Sequence, residues 1–227
     1  MKAIFTFHSI DNSNSVLSFK PASFRQLIHT LLHNDIPILT MDDLLKQENK
    51  KGIAITFDDG MLSVYTEALS IIREFNIPAH LFLTTSVVGK DNYWPTQQVL
   101  ACQAAGFSID AHSHTHPHLN NLSLAEIHEE CIRCDELIEN KTGLKPNYFA
   151  YPYGSHDEQA RQYVKTHYKA SVTTFMRPLS YTDDLALLPR LDSYYLRSQW
   201  LHSQIGRPLG NTYLMMRSLI RSLRGHQ

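Results

Sequence analysis

The sequence predicts a single α/β domain built as a barrel or a barrel-like sheet of parallel strands. Short apolar runs alternate with amphipathic stretches of helical length along the 227 residues, which is typical of strands joined by crossover helices. Seven or eight such units suit a barrel, and eight strand candidates are present. No linker, repeat or low-complexity segment interrupts the alternation, so one domain over residues 1–227 is the simplest interpretation.

The strand candidates are short apolar runs bounded by turn signals or by helical patterns. The clearest is Gly-Ile-Ala-Ile-Thr-Phe at 52–57, which has the composition of a buried strand, continues into two aspartates and breaks at Gly60. In chain order the predicted strands cover residues 2–8, 36–40, 52–58, 79–84, 107–112, 148–151, 170–173 and 187–191.

The helix candidates show amphipathic spacing, and one of them has clear signals at both ends. Ser123 and Glu126 form a capping-box pattern at the start of that helix, while Gly143 and Pro146 stand where a helix stop belongs. In chain order the predicted helices cover residues 23–34, 61–75, 96–105, 124–142, 156–167 and 211–223.

Composition and charge exclude some classes of function. Apolar residues make up 43% and charged residues 19%, and the formal net charge of −1 gives no argument for a nucleic-acid partner. The N-terminal apolar stretch is too short for a signal-peptide core, and no run is long enough to span a bilayer. Three cysteines form no disulfide framework, which agrees with a reducing compartment. We therefore expect a cytoplasmic protein.

Polar side chains collect where the predicted strands end. His8, Asp58, Asp59, His112 and Tyr153 all fall at or just beyond such ends. In parallel α/β sheets, functional sites gather at the carboxyl ends of the strands. Asp58 and Asp59 repel each other unless something positive neutralises them, and a metal ion is one such neutraliser. These five residues therefore predict a site at one edge of the sheet.

The segment His-Ser-His-Thr-His-Pro-His at 112–118 has metal-ligand character. On a helical turn His112 and His116 would share a face, whereas on a strand His114 would join them. Neutral imidazoles suit Zn²⁺ and similar ions, and a carboxylate can complete a three-ligand site with an open position. A polar histidine-rich loop without a metal is the alternative. The aspartate pair favours the metal site.

Three motifs in order carry a family resemblance. Thr-Phe-Asp-Asp-Gly at 56–60, the His-Ser-x-x-His element at 112–116 and Phe-Ala-Tyr-Pro-Tyr-Gly at 149–154 resemble the first three motifs of the polysaccharide deacetylases, the NodB-homology domain of carbohydrate esterase family 4. The resemblance runs from the first strand to the arginine near residue 190. It implies a distorted (β/α) barrel of this type and a metal-dependent hydrolase that deacetylates a carbohydrate.

The resemblance also implies a role for each matching residue. Asp59, His112 and His116 would bind a divalent metal ion, most simply Zn²⁺, with Co²⁺ and Ni²⁺ as alternatives. Asp58 would be the general base for the attacking water. Ser113 would support the histidine loop through hydrogen bonds.

The third motif implies the oxyanion-binding part of the site. The main-chain N–H of Tyr153, which follows Pro152, would help to hold the oxyanion. Trp94 lies in a loop after a predicted strand, where its ring would either stack on a sugar or cover the core.

Two departures from the family pattern leave choices open. Many members carry an arginine in the third motif that tethers the catalytic aspartate, but Phe-Ala-Tyr stands at 149–151 here. Arg190 either supplies that charge from another strand or is an ordinary ion-pair residue. The general acid is either His8, as in the subgroup with this histidine on the first strand, or His202 in Trp-Leu-His at 200–202. We favour His8.

Two helical segments have simpler alternatives. Cys131 and Cys134 lie inside a predicted helix without a second ligand pair, so we interpret them as packing residues. At the C-terminus, an amphipathic helix at about 211–224 has arginines on one face, at positions 217, 221 and 224. Such a helix either makes peripheral contact with an anionic membrane or docks on its own domain with a solvated charged face.

The sequence therefore predicts a metal-dependent de-N-acetylase. Its expected substrate is an N-acetylated amino sugar of the GlcNAc type, within a polysaccharide or a glycolipid precursor. The alternatives are hydrolysis of another carbon–nitrogen amide or an O-acetyl ester at the same site, and a non-catalytic glycan-binding domain.

Overall fold

The computed structural model describes residues 1–95 and 98–223, with side chains described through Arg221. Its strands are β1 (Lys2–Phe7), β2 (Ser9–Ile10), β3 (Ser18–Phe19), β4 (Gly52–Phe57), β5 (Ala79–Leu83), β6 (Phe107–Ala111), β7 (Tyr148–Ala150), β8 (Ala170–Val172) and β9 (Leu191–Asp192). Its α-helices are α1 (Pro21–His33), α2 (Met41–Leu45), α3 (Leu69–Phe75), α4 (Val99–Gln103), α5 (Leu124–Thr142), α6 (Glu158–His167), α7 (Gln199–Gln204) and α8 (Pro208–Leu223).

Within the described residues, seven strands form one parallel sheet in the order β8-β7-β6-β5-β4-β1-β9. The sheet curls into a half-barrel, which confirms the predicted barrel-like α/β fold. Strands β1 and β4 pair in register from Lys2 opposite Gly52 to Phe7 opposite Phe57. Because Phe7 and Phe57 lie opposite each other, the residues that follow these two strands, His8 and Asp58, emerge at the same edge of the sheet. That register brings the end of β1 beside the end of β4.

The two faces of the sheet bury different sets of apolar side chains. Along β1, Phe5 and Phe7 belong to the larger core cluster, whereas Ile4 belongs to a second cluster on the other face. Phe7 packs edge-on against the rings of Phe19 and Phe24 at centroid distances of 5.2 and 5.1 Å. This alternation follows from the two-residue period of a strand.

One segment contacts both edges of the curled sheet. Leu188 forms a parallel bridge to Val172 in β8, and three residues later Leu191 pairs with Phe5 in β1. The predicted strand at 187–191 is therefore corrected to a bridge followed by the short β9, because the chain crosses from one sheet edge to the other. Arg190 lies within this crossing.

Several element boundaries differ from the sequence prediction. Of the predicted strand 36–40, the structure keeps only a bridge from Ile38 to Ile53. The predicted helix 61–75 begins with a π-helical turn over Val64–Ala68 before α3. The predicted helix 96–105 is shorter, as α4, and its first two residues lie outside those described.

Helices near the C-terminus also differ from the prediction. Helix α8 begins at Pro208 instead of residue 211, since proline is tolerated in the first turn of a helix. Helix α7 precedes it and is not among the predicted helix ranges, although the residues around His202 have a helical pattern. None of the helices described here combines the length and apolar character that crossing a bilayer requires. The cytoplasmic location expected from the sequence stays a prediction.

Helix α8 packs on its own domain, but its charged face is turned opposite to the solvated orientation expected for a docked helix. Leu214 is buried, and the half-buried Arg217 and Arg221 lie on the docked side with it. The Arg217 guanidinium stacks over Tyr195 at 5.1 Å, and Arg221 lies 3.9 Å from an oxygen of Asp192. The charged face is therefore not the solvated face. The third predicted arginine, at position 224, lies outside the described residues.

Candidate active site

The predicted strand-end residues meet in one cleft at the carboxyl edge of the sheet. The cleft is lined by His8 after β1, Asp58 and Asp59 after β4, His112 after β6 and Tyr153 after β7. The chain segments that deliver them are separated by tens of residues. The parallel sheet brings them together because all of its strands end at the same edge.

Three predicted metal ligands converge in this cleft. The Nε2 atoms of His112 and His116 each lie 3.4 Å from Oδ1 of Asp59, and 3.1 Å from each other. Ligand atoms about 2.0–2.2 Å from a tetrahedral zinc ion are separated from one another by about 3.3–3.6 Å. The three atoms therefore have nearly the spacing of one face of such a tetrahedron, and the donor set fits a divalent ion of this kind.

The tautomer of His112 also fits metal binding. Its Nδ1 donates a hydrogen bond to the carbonyl oxygen of Ala150 at 2.7 Å. In the neutral imidazole this bond leaves the lone pair on Nε2, which faces Asp59 in the cleft. Metal-binding histidines commonly use their second ring nitrogen in this way, because the bond fixes the ring orientation.

The histidine segment forms neither of the two regular structures considered from sequence. After β6 it turns through left-handed backbone conformations at Ser113, with φ of 62°, and at His116, with φ of 65°. The Ser113 hydroxyl accepts a hydrogen bond from the main-chain N–H of His116 at 2.9 Å. Asp59 has a left-handed φ of 70° as well. Such conformations are uncommon for residues other than glycine, and they concentrate at functional sites.

Asp58 and Arg190 form a buried ion pair beside this cluster. Two guanidinium nitrogens each lie 2.7 Å from one carboxylate oxygen of Asp58, and the Arg190 Nε donates to the carbonyl oxygen of Thr173 at 3.0 Å. Both side chains of the pair are at most 3% exposed. The structure thus pairs Arg190 with Asp58, as the tether alternative requires. That this contact serves catalysis stays a prediction.

The charge of Asp58 follows from its surroundings. Burial raises the pKa of this carboxyl group, but the Arg190 guanidinium and the nearby histidines outweigh burial and hold the pKa below its usual value. Asp58 is therefore ionised at neutral pH, the state that a proton acceptor requires.

The two candidate acid histidines have different environments. His8 lines the cleft together with Asp58 and Asp59. His202 is 1% exposed, donates from Nε2 to the carbonyl oxygen of Leu196 at 2.7 Å and does not line the cleft. Burial lowers the pKa of His202, so it stays neutral. The structure brings His8, and not His202, to the other predicted site residues.

The third motif forms a tight turn at the edge of the cleft. Residues Pro152–Gly154 make one 3-10 turn in which Tyr153 has a left-handed φ of 59°. The Tyr153 ring lies 4.5 Å from the His116 ring and stacks on His118 at 4.1 Å. Pro152 is buried beneath this turn, whereas Tyr153 is 56% exposed. The turn therefore places the Tyr153 side chain next to His116, one of the predicted metal ligands.

Trp94 requires a correction. Its side chain is 0% exposed and packs edge-on against Tyr65 and Phe107 at 5.9 Å from each. Its main-chain N–H donates to the carbonyl oxygen of Gly60 at 2.9 Å. This bond links the Trp94 backbone to the loop that carries Asp58 and Asp59. A ring buried in the core cannot stack on a sugar in this conformation. Of the two alternatives in the sequence analysis, the core position is the one observed.

Replacing Trp94 by alanine is expected to lower the free energy of unfolding by about 3–5 kcal/mol, since a large buried ring leaves a cavity. Thermal denaturation measures the effect. Tyr181→Ala, which removes a ring that is 69% exposed, is the control and should change stability little. A Trp94→Ala protein with wild-type stability and only a weakened affinity for glycans would contradict the core assignment.

Several cleft residues were not singled out as site residues from the sequence. Thr174, Asp192 and Arg221 line the cleft together with the motif residues. Asp192 stands two residues after Arg190, so the two-residue period of an extended segment was a usable signal. Thr174 and Arg221 had no such signal, because they reach the cleft through the packing of a loop and of α8.

The curled parallel sheet and the residues at its carboxyl edge define a class, the barrel-like α/β proteins with an aspartate–histidine cluster at the ends of their strands. Comparison with known proteins specifies the family. The chain belongs to the polysaccharide deacetylases, whose family model matches residues 45–171.

Individual relatives are similar at modest identity. A putative polysaccharide deacetylase, YxkH of Bacillus subtilis, is 28% identical over 178 residues, which are 75% of this chain and 63% of the relative. The peptidoglycan-N-acetylglucosamine deacetylase PgdA of Listeria monocytogenes is 27% identical over 120 residues, 52% of this chain and 25% of that protein. The chain thus matches less than two thirds of the length of either relative.

A solved structure supports the fold independently. The Streptococcus pyogenes deacetylase PplD, in complex with acetate, superposes with a TM-score of 0.79 at 22% identity, over 84% of this chain and 91% of that one. At this identity the similarity establishes the architecture alone.

Proposed function

We propose that this chain is a metal-dependent de-N-acetylase acting on an N-acetylated amino sugar of the GlcNAc type, within a polysaccharide or a glycolipid precursor. The observation that carries the proposal is the Asp59–His112–His116 cluster beside the ion-paired Asp58. The named activity of the Listeria relative, on peptidoglycan N-acetylglucosamine, supports the choice of sugar.

Asp59, His112 and His116 would hold the metal ion through the three atoms that face one another in the cleft. A divalent ion in such a site lowers the pKa of a coordinated water toward about 7 and polarises the carbonyl of the acetamide. The donor set accepts Zn²⁺, Co²⁺ or Ni²⁺. The remaining steps belong to the residues around it.

Asp58 acts as the general base in this mechanism. It is the ionised carboxylate next to Asp59, and both residues line the cleft. Arg190 is its positioning residue, because two hydrogen bonds from a planar guanidinium fix both carboxylate oxygens. Asp58 takes a proton from the attacking water as the water adds to the acetamide carbon. The oxygen that gains negative charge is met by the main-chain N–H of Tyr153.

Collapse of the tetrahedral intermediate then requires a proton on the departing nitrogen, because an amine anion is a poor leaving group. His8 lines the same cleft and supplies that proton. Acetate and a free amino sugar are the products.

Acetate release from N-acetylglucosamine oligomers tests the proposal. We expect one bound divalent ion per chain, loss of acetate release on chelation, and recovery when Zn²⁺, Co²⁺ or Ni²⁺ is added back. His116→Ala should lose the metal, whereas His33→Ala on α1 is the control and should keep it. Acetate release that persists in metal-free protein contradicts the proposal, and release from O-acetylated but not N-acetylated sugars would assign the ester reaction instead.

The acid assignment makes a separate prediction. His8→Ala is expected to lower kcat by about 10²-fold or more with unchanged metal content, since a positioned acid contributes that much. His202→Ala should instead lower stability, because it removes a buried ring and its hydrogen bond to Leu196. Steady-state kinetics and thermal melts on both variants measure the difference. If kcat falls only in the His202 variant, the assignment is reversed.

A further inference from the structure

The outward face of α8 is apolar. Five of its side chains are between 38% and 69% exposed, namely Leu209, Met215, Met216, Leu219 and Ile220. At about 100° per residue these positions fall within one side of the helix. An amphipathic surface helix normally directs such a face toward the core and its polar face toward water. Here the apolar face points away from the domain.

The docked side of α8 explains why the helix cannot simply rotate. Leu214 is buried there, and Arg217 and Arg221 follow it at positions three and seven residues later. Arg217 stacks on Tyr195, and Arg221 lies beside Asp192 at the cleft. Gly210 allows a close approach to α7, since a Cβ there would lie 2.1 Å from the carbonyl oxygen of Gln204. The orientation is therefore set by specific contacts.

The charge of this part of the chain indicates what covers the apolar face. Residues 193–227 contain five arginines and no aspartate or glutamate, whereas all 22 acidic residues lie in residues 1–192. Arg207, directly before α8, is exposed. Beside the helix, Trp200 is 45% exposed and its ring contacts Tyr213 of α8 at 5.2 Å. Exposed apolar side chains next to an arginine and to tryptophan and tyrosine rings suit the boundary between lipid headgroups and acyl chains.

We propose that α8 is a docking face for an anionic lipid surface. Its apolar side chains enter the headgroup–acyl boundary, and the exposed Arg207 contacts anionic headgroups, toward which the net positive charge of residues 193–227 attracts this part of the chain. A second copy of this chain is the other possible occupant of an apolar face, and the experiment below distinguishes it. The proposal concerns binding and does not depend on the deacetylase activity.

Co-sedimentation of the intact chain with vesicles tests this docking. Wild-type protein should bind vesicles of phosphatidylcholine and phosphatidylglycerol, bind phosphatidylcholine alone at least tenfold less, and release at high salt. The double variant Met215→Gln/Met216→Gln should reduce binding by about tenfold or more, since two apolar side chains no longer enter the boundary. Both methionines are more than half exposed, so the fold should persist.

The control uses the same substitution chemistry on another face. Leu124→Gln/Leu144→Gln changes two apolar residues that are 51% and 61% exposed, the first residue of α5 and the second residue after its end. This variant should bind anionic vesicles as the wild type does. Equal binding by both variants overturns the proposal, and so does equal binding to neutral and anionic vesicles. A wild-type dimer in light scattering that the methionine variant dissociates, without vesicle binding, would assign the face to a second copy.

Discussion

Replacing Arg190 by methionine is expected to lower the free energy of unfolding at pH 7 by about 3–5 kcal/mol, because it leaves the Asp58 carboxylate buried without its partner. The two side chains are 2% and 3% exposed, and each carboxylate oxygen receives one 2.7 Å hydrogen bond from the guanidinium. Methionine has similar length and fills the same apolar space against Phe82, which the guanidinium covers at 5.8 Å. The loss of stability therefore reports the unpaired charge of Asp58 and not a cavity.

The pH dependence of this destabilisation identifies its cause. In the wild type the pKa of Asp58 is held below its usual value, so the pair stabilises the fold above the unfolded pKa of about 3.9 and loses this contribution as pH falls through the folded pKa. In the variant burial remains without the guanidinium, and the pKa of Asp58 rises. Protonation then relieves the unpaired charge. We expect the stability difference between the two proteins to shrink from pH 7 to pH 4.

Denaturant unfolding at several pH values measures both effects. Arg25→Met is the matched control, since Arg25 pairs with Glu74 at the surface, where both side chains are about half exposed. That variant should change stability by at most about 1 kcal/mol, because exposed ion pairs contribute little. An Arg190→Met protein that loses no more stability than this control would show that the buried pair does not hold Asp58.

Asp58→Asn is expected to lower kcat by about 10²–10⁴-fold while the protein keeps its metal. Asparagine has nearly the shape of aspartate but cannot accept a proton from the attacking water at neutral pH. Asp58 contributes none of the three clustered ligand atoms, so the metal content of the variant should stay at the wild-type value. Acetate release and metal analysis on the same preparation test the two parts together.

Asp59→Asn separates the two carboxylates of the motif. Asp59 contributes an oxygen to the cluster of ligand atoms, so its variant should lose metal as well as activity. A rate for Asp58→Asn within tenfold of the wild type would remove Asp58 from the role of base. Because Asp58→Asn also leaves the Arg190 charge unpaired, its stability is measured alongside and activity is assayed well below the melting temperature.

Local sequence carried much of the prediction of fold and site. The length and composition of the apolar runs identified most strands of the sheet. A strand buried on both faces needs an unbroken apolar run, such as the one that becomes β4. The chemistry of the motif residues pointed to a metal site, and Asp59, His112 and His116 do lie together. Strand ends were sufficient for this, since parallel strands all end at one edge.

Other features depended on contacts between distant parts of the chain. Arg190 lies 132 residues from Asp58 in sequence, and only the crossing of its segment between the two edges of the sheet brings them together. The same is true of His8 and His202, two histidines that sequence could not separate. The register of β1 against β4 brings His8 to the cleft, whereas His202 is held in the core by its bond to Leu196.

The sequence by itself determined most of the strand and helix pattern, the candidate metal-ligand residues and the resemblance to the deacetylases, because these depend on local composition and on short motifs. Tertiary structure alone decided that Trp94 is buried, that Arg190 neutralises Asp58 and that α8 turns its arginines inward. The physical reason is that periodicity shows which residues share a face but not which face is covered. Only packing against the rest of the chain makes that choice.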